Sequence, residues 1–214
     1  MLQTATVEKG TYELLKQLMK DDFLSGFLLA GGTNLSLQIG HRQSVDLDLF
    51  SYKSFDAKAI EKHLLKNYPF VPLRVMERDT VIGYITDIKV DIVAHIYPLL
   101  NQSFIEDKIR FYSLQDIACM KLVAISDNGT RLKDFVDIAF LSTKMSLTEM
   151  LTCYQKKYNR PNYYHAVKGL SYFDDIEFND SINLTNSVFS WKKIEKRICE
   201  MIKYENRIFE TAPC

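Results

Sequence analysis

Val45-Asp46-Leu47-Asp48-Leu49-Phe50 alternates apolar and acidic residues. That period of two predicts a β-strand with Val45, Leu47 and Leu49 on one face and both carboxylates on the other. The two acids would lie roughly 7 Å apart along the strand. Like charges so placed are costly unless a cation lies between them, and hard carboxylate oxygens suit Mg²⁺ or Mn²⁺. An isolated Asp-x-Asp more often marks a solvated strand face. Here the apolar flanks mark a buried strand instead.

Upstream, the apolar run Phe27-Leu28-Leu29-Ala30 is halted by Gly31-Gly32 and reads as a second buried strand. Thr33 then opens a helix through Leu35, Leu37 and Ile39, with Gly40 as its stop signal. Two glycines between strand and helix allow a sharp turn with consecutive exposed amides. The helix N-terminus adds positive potential, and the Thr33 hydroxyl can cap the helix or donate to a phosphate oxygen. By itself such a turn is ordinary. Its spacing ahead of the acidic strand is what gives it weight.

Downstream, Lys89-Val90-Asp91-Ile92-Val93 again places one acid inside an apolar strand, where carboxylates are rarely buried without a partner. If this strand lies beside the first, Asp46, Asp48 and Asp91 converge on a site for two divalent cations about 3.5–4 Å apart, the arrangement used in in-line phosphoryl transfer. Asp91 is then the natural general base for the acceptor. Arg42, between helix stop and acidic strand, is placed to meet nucleotide phosphates, and His41 reads as a local hydrogen-bonding residue.

The rest of the chain places these elements in an α+β fold. An opening helix is expected over 7–19, another over 58–67, and strands over 71–77, 82–88 and 90–96, whose short connections predict antiparallel pairing. Beyond Arg110 the pattern turns helical. Ser113 and Asp116 resemble a capping box ahead of Ile117, Met120 and Ala124, and Asn128-Gly129 breaks that helix before a second over 132–141. Further helices are expected over 147–156, 161–172 with Pro161 in its first turn, and 191–209. These patterns predict a mixed sheet flanked by helices and followed by a helical C-terminal region, divided as 1–145 and 146–214.

The 214 residues carry 27 basic and 27 acidic side chains and are 47% apolar. This excludes a disordered chain and a global cationic field, though a local basic face remains open. The segment from Tyr154 to Lys168 interleaves bases and aromatics, which suits either an RNA end or a solvated helical hairpin with tyrosine anchors. Cys119, Cys153, Cys199 and Cys214 are widely spaced, so reduced and mostly buried thiols are expected rather than a zinc knuckle. Neither a signal peptide nor an apolar run of membrane-spanning length is evident, and a cytoplasmic protein is expected.

The string Gly31-Gly32-Thr33-Asn34-Leu35-Ser36-Leu37, followed by His41-Arg42-Gln43-Ser44-Val45-Asp46-Leu47-Asp48-Leu49-Phe50, resembles the signature of the AbiEii/AbiGii-type toxin nucleotidyltransferases of the DNA-polymerase-β-like superfamily. The resemblance continues at Lys121-Leu122-Val123-Ala124-Ile125 and Lys133-Asp134-Phe135-Val136-Asp137-Ile138-Ala139, and spans roughly 25–142. It implies a nucleotidyltransferase core that moves a nucleotide from an NTP to an acceptor with Mg²⁺. Some relatives modify the 3′ end of tRNA, so an RNA acceptor and a cognate antitoxin are implied partners. Residue by residue, Asp46 and Asp48 become metal ligands, Asp91 the third carboxylate, and Gly31, Gly32 and Thr33 the phosphate turn. Lys121 becomes a phosphate-contacting lysine and Asp137 the acid of the final motif. Asp134 reads as a structural partner of Arg131 or Lys133. The alternatives are a small-molecule nucleotidyltransferase of the antibiotic-modifying kind and a catalytically silent nucleotide-binding protein. A dehalogenase-type phosphatase is disfavoured, because its acids need no upstream glycine turn.

Overall fold

The computed structural model describes residues 1–76 and 79–213. Glu77, the last residue of an expected strand, and Cys214 lie outside them. The chain forms two compact units, Met1–Ser113 and Leu114–Cys214. This division falls earlier in the chain than the 145/146 boundary drawn from the motifs.

The first unit runs α1 (Lys9–Lys20), β1 (Leu28–Leu29), α2 (Gly31–Ile39), β2 (Leu47–Ser51), α3 (Ala57–Asn67), β3 (Phe70–Met76), β4 (Thr80–Ile85), β5 (Ile88–Ala94), β6 (Phe104–Glu106) and β7 (Ile109–Phe111). The strands make one seven-stranded sheet in the order β3-β4-β5-β2-β1-β7-β6. The expected antiparallel block is present as β3-β4-β5. β2 pairs parallel with β5, and β1 pairs antiparallel with β2 and parallel with β7. The sequence pattern missed β6 and β7, whose three-residue lengths are too short for a period to show.

Leu47 and Leu49 of β2, Val90 and Ile92 of β5, and Val81 and Ile85 of β4 are buried in one core with Leu14, Leu15 and Leu18 of α1 and Ile60 and Leu64 of α3. Strand alternation sends Asp48 and Asp91 to the opposite face. Val45, expected in that core, precedes β2 and is exposed.

The second unit is helical: α4 (Leu114–Asp127), α5 (Leu132–Leu141), α6 (Leu147–Tyr158), α7 (Tyr164–Leu170) and α8 (Trp191–Lys203). α4 packs on α5, α6 and α7, and α5 packs on α8. Trp191 meets Phe135, Phe173 and Phe178 edge-to-face, with ring centroids 5.5–6.1 Å apart, a geometry aromatic quadrupoles favour. Ser146 and Glu149 form a capping box at the start of α6. Asp116 is buried and accepts from Lys157 at 2.7 Å. Pro161 stays outside α7, and α8 stops before the expected residue 209. The face of α4 is also rotated from expectation: Lys121 is buried, whereas Met120 and Ala124 are half-buried.

Candidate active site

The glycine turn begins α2 earlier than Thr33. Ala30 is its N-cap, and Gly31 and Gly32 form its first turn. Gly31 has φ +63°, a left-handed conformation natural to glycine. Its missing side chain makes room for an acid: a methyl group there would fall 1.8 Å from Asp48 Oδ2. At Gly32 a methyl group would fall 2.4 Å from Arg42 Nη2. The two glycines therefore bring the start of α2 directly against Asp48 and Arg42.

Neighbouring side chains fix this turn. Thr33 is fully buried, and its hydroxyl bonds Ser44 Oγ at 2.9 Å and the backbone carbonyl of Asp46. Thr33 thus ties the helix to the acidic segment. It was expected to cap the helix or reach a phosphate, and its hydroxyl is committed to these internal partners. Asn34, also buried, donates to the carbonyls of Leu29 at 2.7 Å and Tyr112 at 3.2 Å, and so clamps the end of β1 beside β7. Gly40 closes α2 at φ +72° as a left-handed C-cap. His41 and Arg42 are buried, and Arg42 Nη1 donates to Gln43 O at 3.0 Å.

The parallel register of β2 and β5 sets Leu47 opposite Val90 and Asp48 opposite Asp91. The expected adjacency of the two acidic strands is therefore present. Asp46 lies one residue before β2. Lys89 Nζ bonds Asp91 Oδ2 at 2.7 Å, whereas Asp91 Oδ1 is shielded from solvent and makes no hydrogen bond. Burial alone would lower the Lys89 pKa. The hydrogen bond to Asp91, with the charges of Asp91, Asp46 and Asp48, outweighs burial and raises it. All three acids thus act on one ammonium. Lys89 went unnoticed in the sequence, although its place two residues before Asp91 puts it on the same strand face.

Among the described residues, no three His, Cys, Asp or Glu side chains are grouped tightly enough to form a ready-made metal cluster. The donor chemistry nonetheless fits a hard divalent cation, because an all-carboxylate set includes one buried oxygen that lacks a partner. Asp46, Asp48 and Asp91 are the residues that would hold it.

In the helical unit, Lys121 on α4 is buried, and its ammonium bonds Asp134 Oδ1 at 2.6 Å and Asp137 Oδ2 at 2.7 Å on α5. Asp134 therefore pairs chiefly with Lys121. Arg131 stands off at 3.8 Å, and Lys133 turns to Asp180 at 3.1 Å. The two late motifs of the sequence form one buried charge cluster. Lys157, expected on an RNA-facing surface, is fully buried against Asp116 at 2.7 Å. Tyr154 and Tyr158 are core residues as well. Lys156, Arg160, Tyr163, Tyr164, His165 and Lys168 remain exposed.

This arrangement of glycine turn, acidic strand and third strand acid defines a nucleotidyltransferase. The family model of the nucleotidyl transferase AbiEii toxin, type IV toxin–antitoxin system, matches residues 13–201, and the chain belongs to that family. An uncharacterised protein of Aquifex aeolicus strain VF5 is 34% identical over 175 residues, covering 79% of this chain and 84% of its own. Two solved structures from Helicobacter pylori share the fold at 18% identity. JHP933 has a TM-score of 0.54 with 92% of each chain covered. A second protein, proposed to be a nucleotidyltransferase, has a TM-score of 0.56 with 92% of this chain and 95% of its own covered. Among the described residues no helix is long and apolar enough to cross a membrane.

Proposed function

We propose that this nucleotidyltransferase uses Mg²⁺ or Mn²⁺ held by Asp46, Asp48 and Asp91 to move a nucleotide from an NTP to the 3′ hydroxyl of an RNA, tRNA in particular. The observation that carries the reading is the in-register pair Asp48 and Asp91 beside Gly31, with one Asp91 oxygen buried and unbonded. The divalent cation, when bound, supplies neutralisation of the triphosphate and polarisation of the acceptor hydroxyl. The amides of Gly31 and Gly32 and the guanidinium of Arg42 hold the phosphates at the start of α2. Asp91 serves as the general base for the acceptor hydroxyl. The acceptor oxygen bonds to the α-phosphorus as the bond to the departing pyrophosphate breaks. Lys121, paired with Asp134 and Asp137, is assigned as a phosphate-contacting lysine.

The motifs all lie within 1–145, which we assign as the catalytic core, and 146–214 as the region that holds the acceptor. The exposed run of Lys156, Arg160, Tyr163, Tyr164, His165 and Lys168 supports this: it offers phosphate contacts and stacking faces for unpaired bases. The toxin–antitoxin family supports an antitoxin as protein partner. The experiment is transfer from each α-labelled NTP into separated RNA, protein and small-molecule pools. Label in RNA that depends on Asp46 and Asp48 is the expected result. Label confined to small molecules contradicts the RNA acceptor, and no transfer to any pool contradicts the catalytic reading.

A further inference from the structure

A cavity of about 640 Å³ opens beside the acid row of the first unit, between α1, the segment before β2 and the β4–β5 hairpin. That volume is within the ~300–1,000 Å³ range of small-ligand sites. Asp46 and Lys89 line it, so the cavity reaches the reacting groups. Its walls carry four carboxylates, on Glu8, Glu13, Asp46 and Asp87, against the single ammonium of Lys89. That ammonium is already bonded to Asp91. Glu13 pairs with the solvent-exposed Lys9 at 3.8 Å. Tyr84, partly exposed on β4, presents an aromatic ring to the same space.

We infer that this cavity binds the acceptor through a phosphate-free, hydroxyl-rich group of nucleoside size, stacked on Tyr84 and donating hydrogen bonds to the carboxylates. The inference rests on the transfer reading above for its role, but not for its binding chemistry. Carboxylates accept hydrogen bonds from sugar hydroxyls and amines and repel phosphates, because like charges brought together are strongly unfavourable. The phosphates of the donor nucleotide belong at the glycine turn, where amides and Arg42 converge. The acidic cavity on the Asp46 side is therefore left to the partner that brings a hydroxyl. Two sources share this chemistry: the terminal nucleoside of an RNA, whose 3′ side carries no phosphate, and a free amino sugar.

Equilibrium titration of the full chain in metal-free buffer separates them, with adenosine, cytidine, their 3′-monophosphates and the amino sugar kanamycin as probes. The expected result for an RNA end is that nucleosides bind about tenfold or more tightly than their 3′-monophosphates. Glu13→Lys with Asp87→Lys, both exposed positions, should close that gap. Tyr84→Ala should weaken the nucleosides by about tenfold, as loss of one stacking contact does. If kanamycin binds instead of the nucleosides and the charge-reversed variant loses it, the cavity is confirmed and the source is a small amino sugar. Absence of binding by every probe overturns the inference. So do 3′-monophosphates that bind as tightly as nucleosides, or affinities indifferent to the charge reversals. Asp48→Asn should keep the binding pattern while losing transfer. A failed transfer reading and a failed cavity are thereby distinguished.

Discussion

The Asp48 carboxylate lies so close to the α-carbon of Gly31 that a methyl group there would fall 1.8 Å from its Oδ2. Helix start and catalytic strand therefore share one space. Gly31→Ala must displace Asp48 and also force a left-handed conformation, at a cost of roughly 1–2 kcal/mol in backbone energy alone. Transfer activity is expected to fall by about 100-fold or more, the loss typical of an ångström-scale misplacement of a reacting group. Melting temperature should drop only modestly. Assay and thermal melt of the same preparation check this, and full activity would contradict the placement of Asp48.

Lys157 and Asp116 form an ion pair with no solvent exposure on either side chain. Lys157→Ala leaves a carboxylate buried without its cation, and a loss of about 3–5 kcal/mol is expected in urea unfolding. Lys157→Met combined with Asp116→Leu should recover most of it, because an apolar pair of similar volume carries no uncompensated charge. A single variant as stable as the wild type would mean the pair is solvated in solution.

RNA binding must be tested away from Lys157. Reversing the exposed Lys156, Arg160 and Lys168 should weaken tRNA binding and make its salt dependence shallower by about 2 in log–log slope. Filter binding across salt concentrations measures both. An unchanged slope would remove this surface from RNA recognition.

The Cys119 thiol hydrogen-bonds the half-exposed Cys153 sulfur and pushes the Cys153 pKa down to about 7. The same hydrogen bond, with burial, drives Cys119 far upward. Only the thiolate is alkylated, so Cys153 should react slowly at pH 6 and reach its plateau near pH 8, earlier than a free thiol at about 8.5. Peptide mapping after timed iodoacetamide treatment gives the profile. A midpoint in the ordinary thiol range would contradict the contact.

Much of this site was legible because strand alternation is local. Asp46, Asp48 and Asp91 declare themselves as acids among Leu47, Leu49, Val90 and Ile92, and Gly40 marks the helix stop by its own conformational freedom. What stayed hidden is non-local. Nothing in the spacing of Asp116 and Lys157 shows that they meet, since the packing of α4 on α6 decides it. The same packing joins Cys119 to Cys153. Lys121 was expected to contact phosphate, and nothing in its local spacing shows that it is buried against two acids of α5. The partners Asp134 and Asp137 turned that helix face inward. The short β6 and β7 carry too few residues for a pattern, yet Tyr112, directly after β7, supplies a carbonyl on which Asn34 anchors the start of α2.

Asp48→Asn is the most direct test of the central claim. Asp48 and Asp91 are like charges on opposed strand positions, so neutralising one relieves repulsion without emptying the core. Transfer from an α-labelled NTP should fall by about 100-fold or more, while the melting temperature, taken on the same sample, stays level or rises. A variant that keeps its activity, or that loses it only by unfolding, would contradict the assignment of this acidic pair as the catalytic centre.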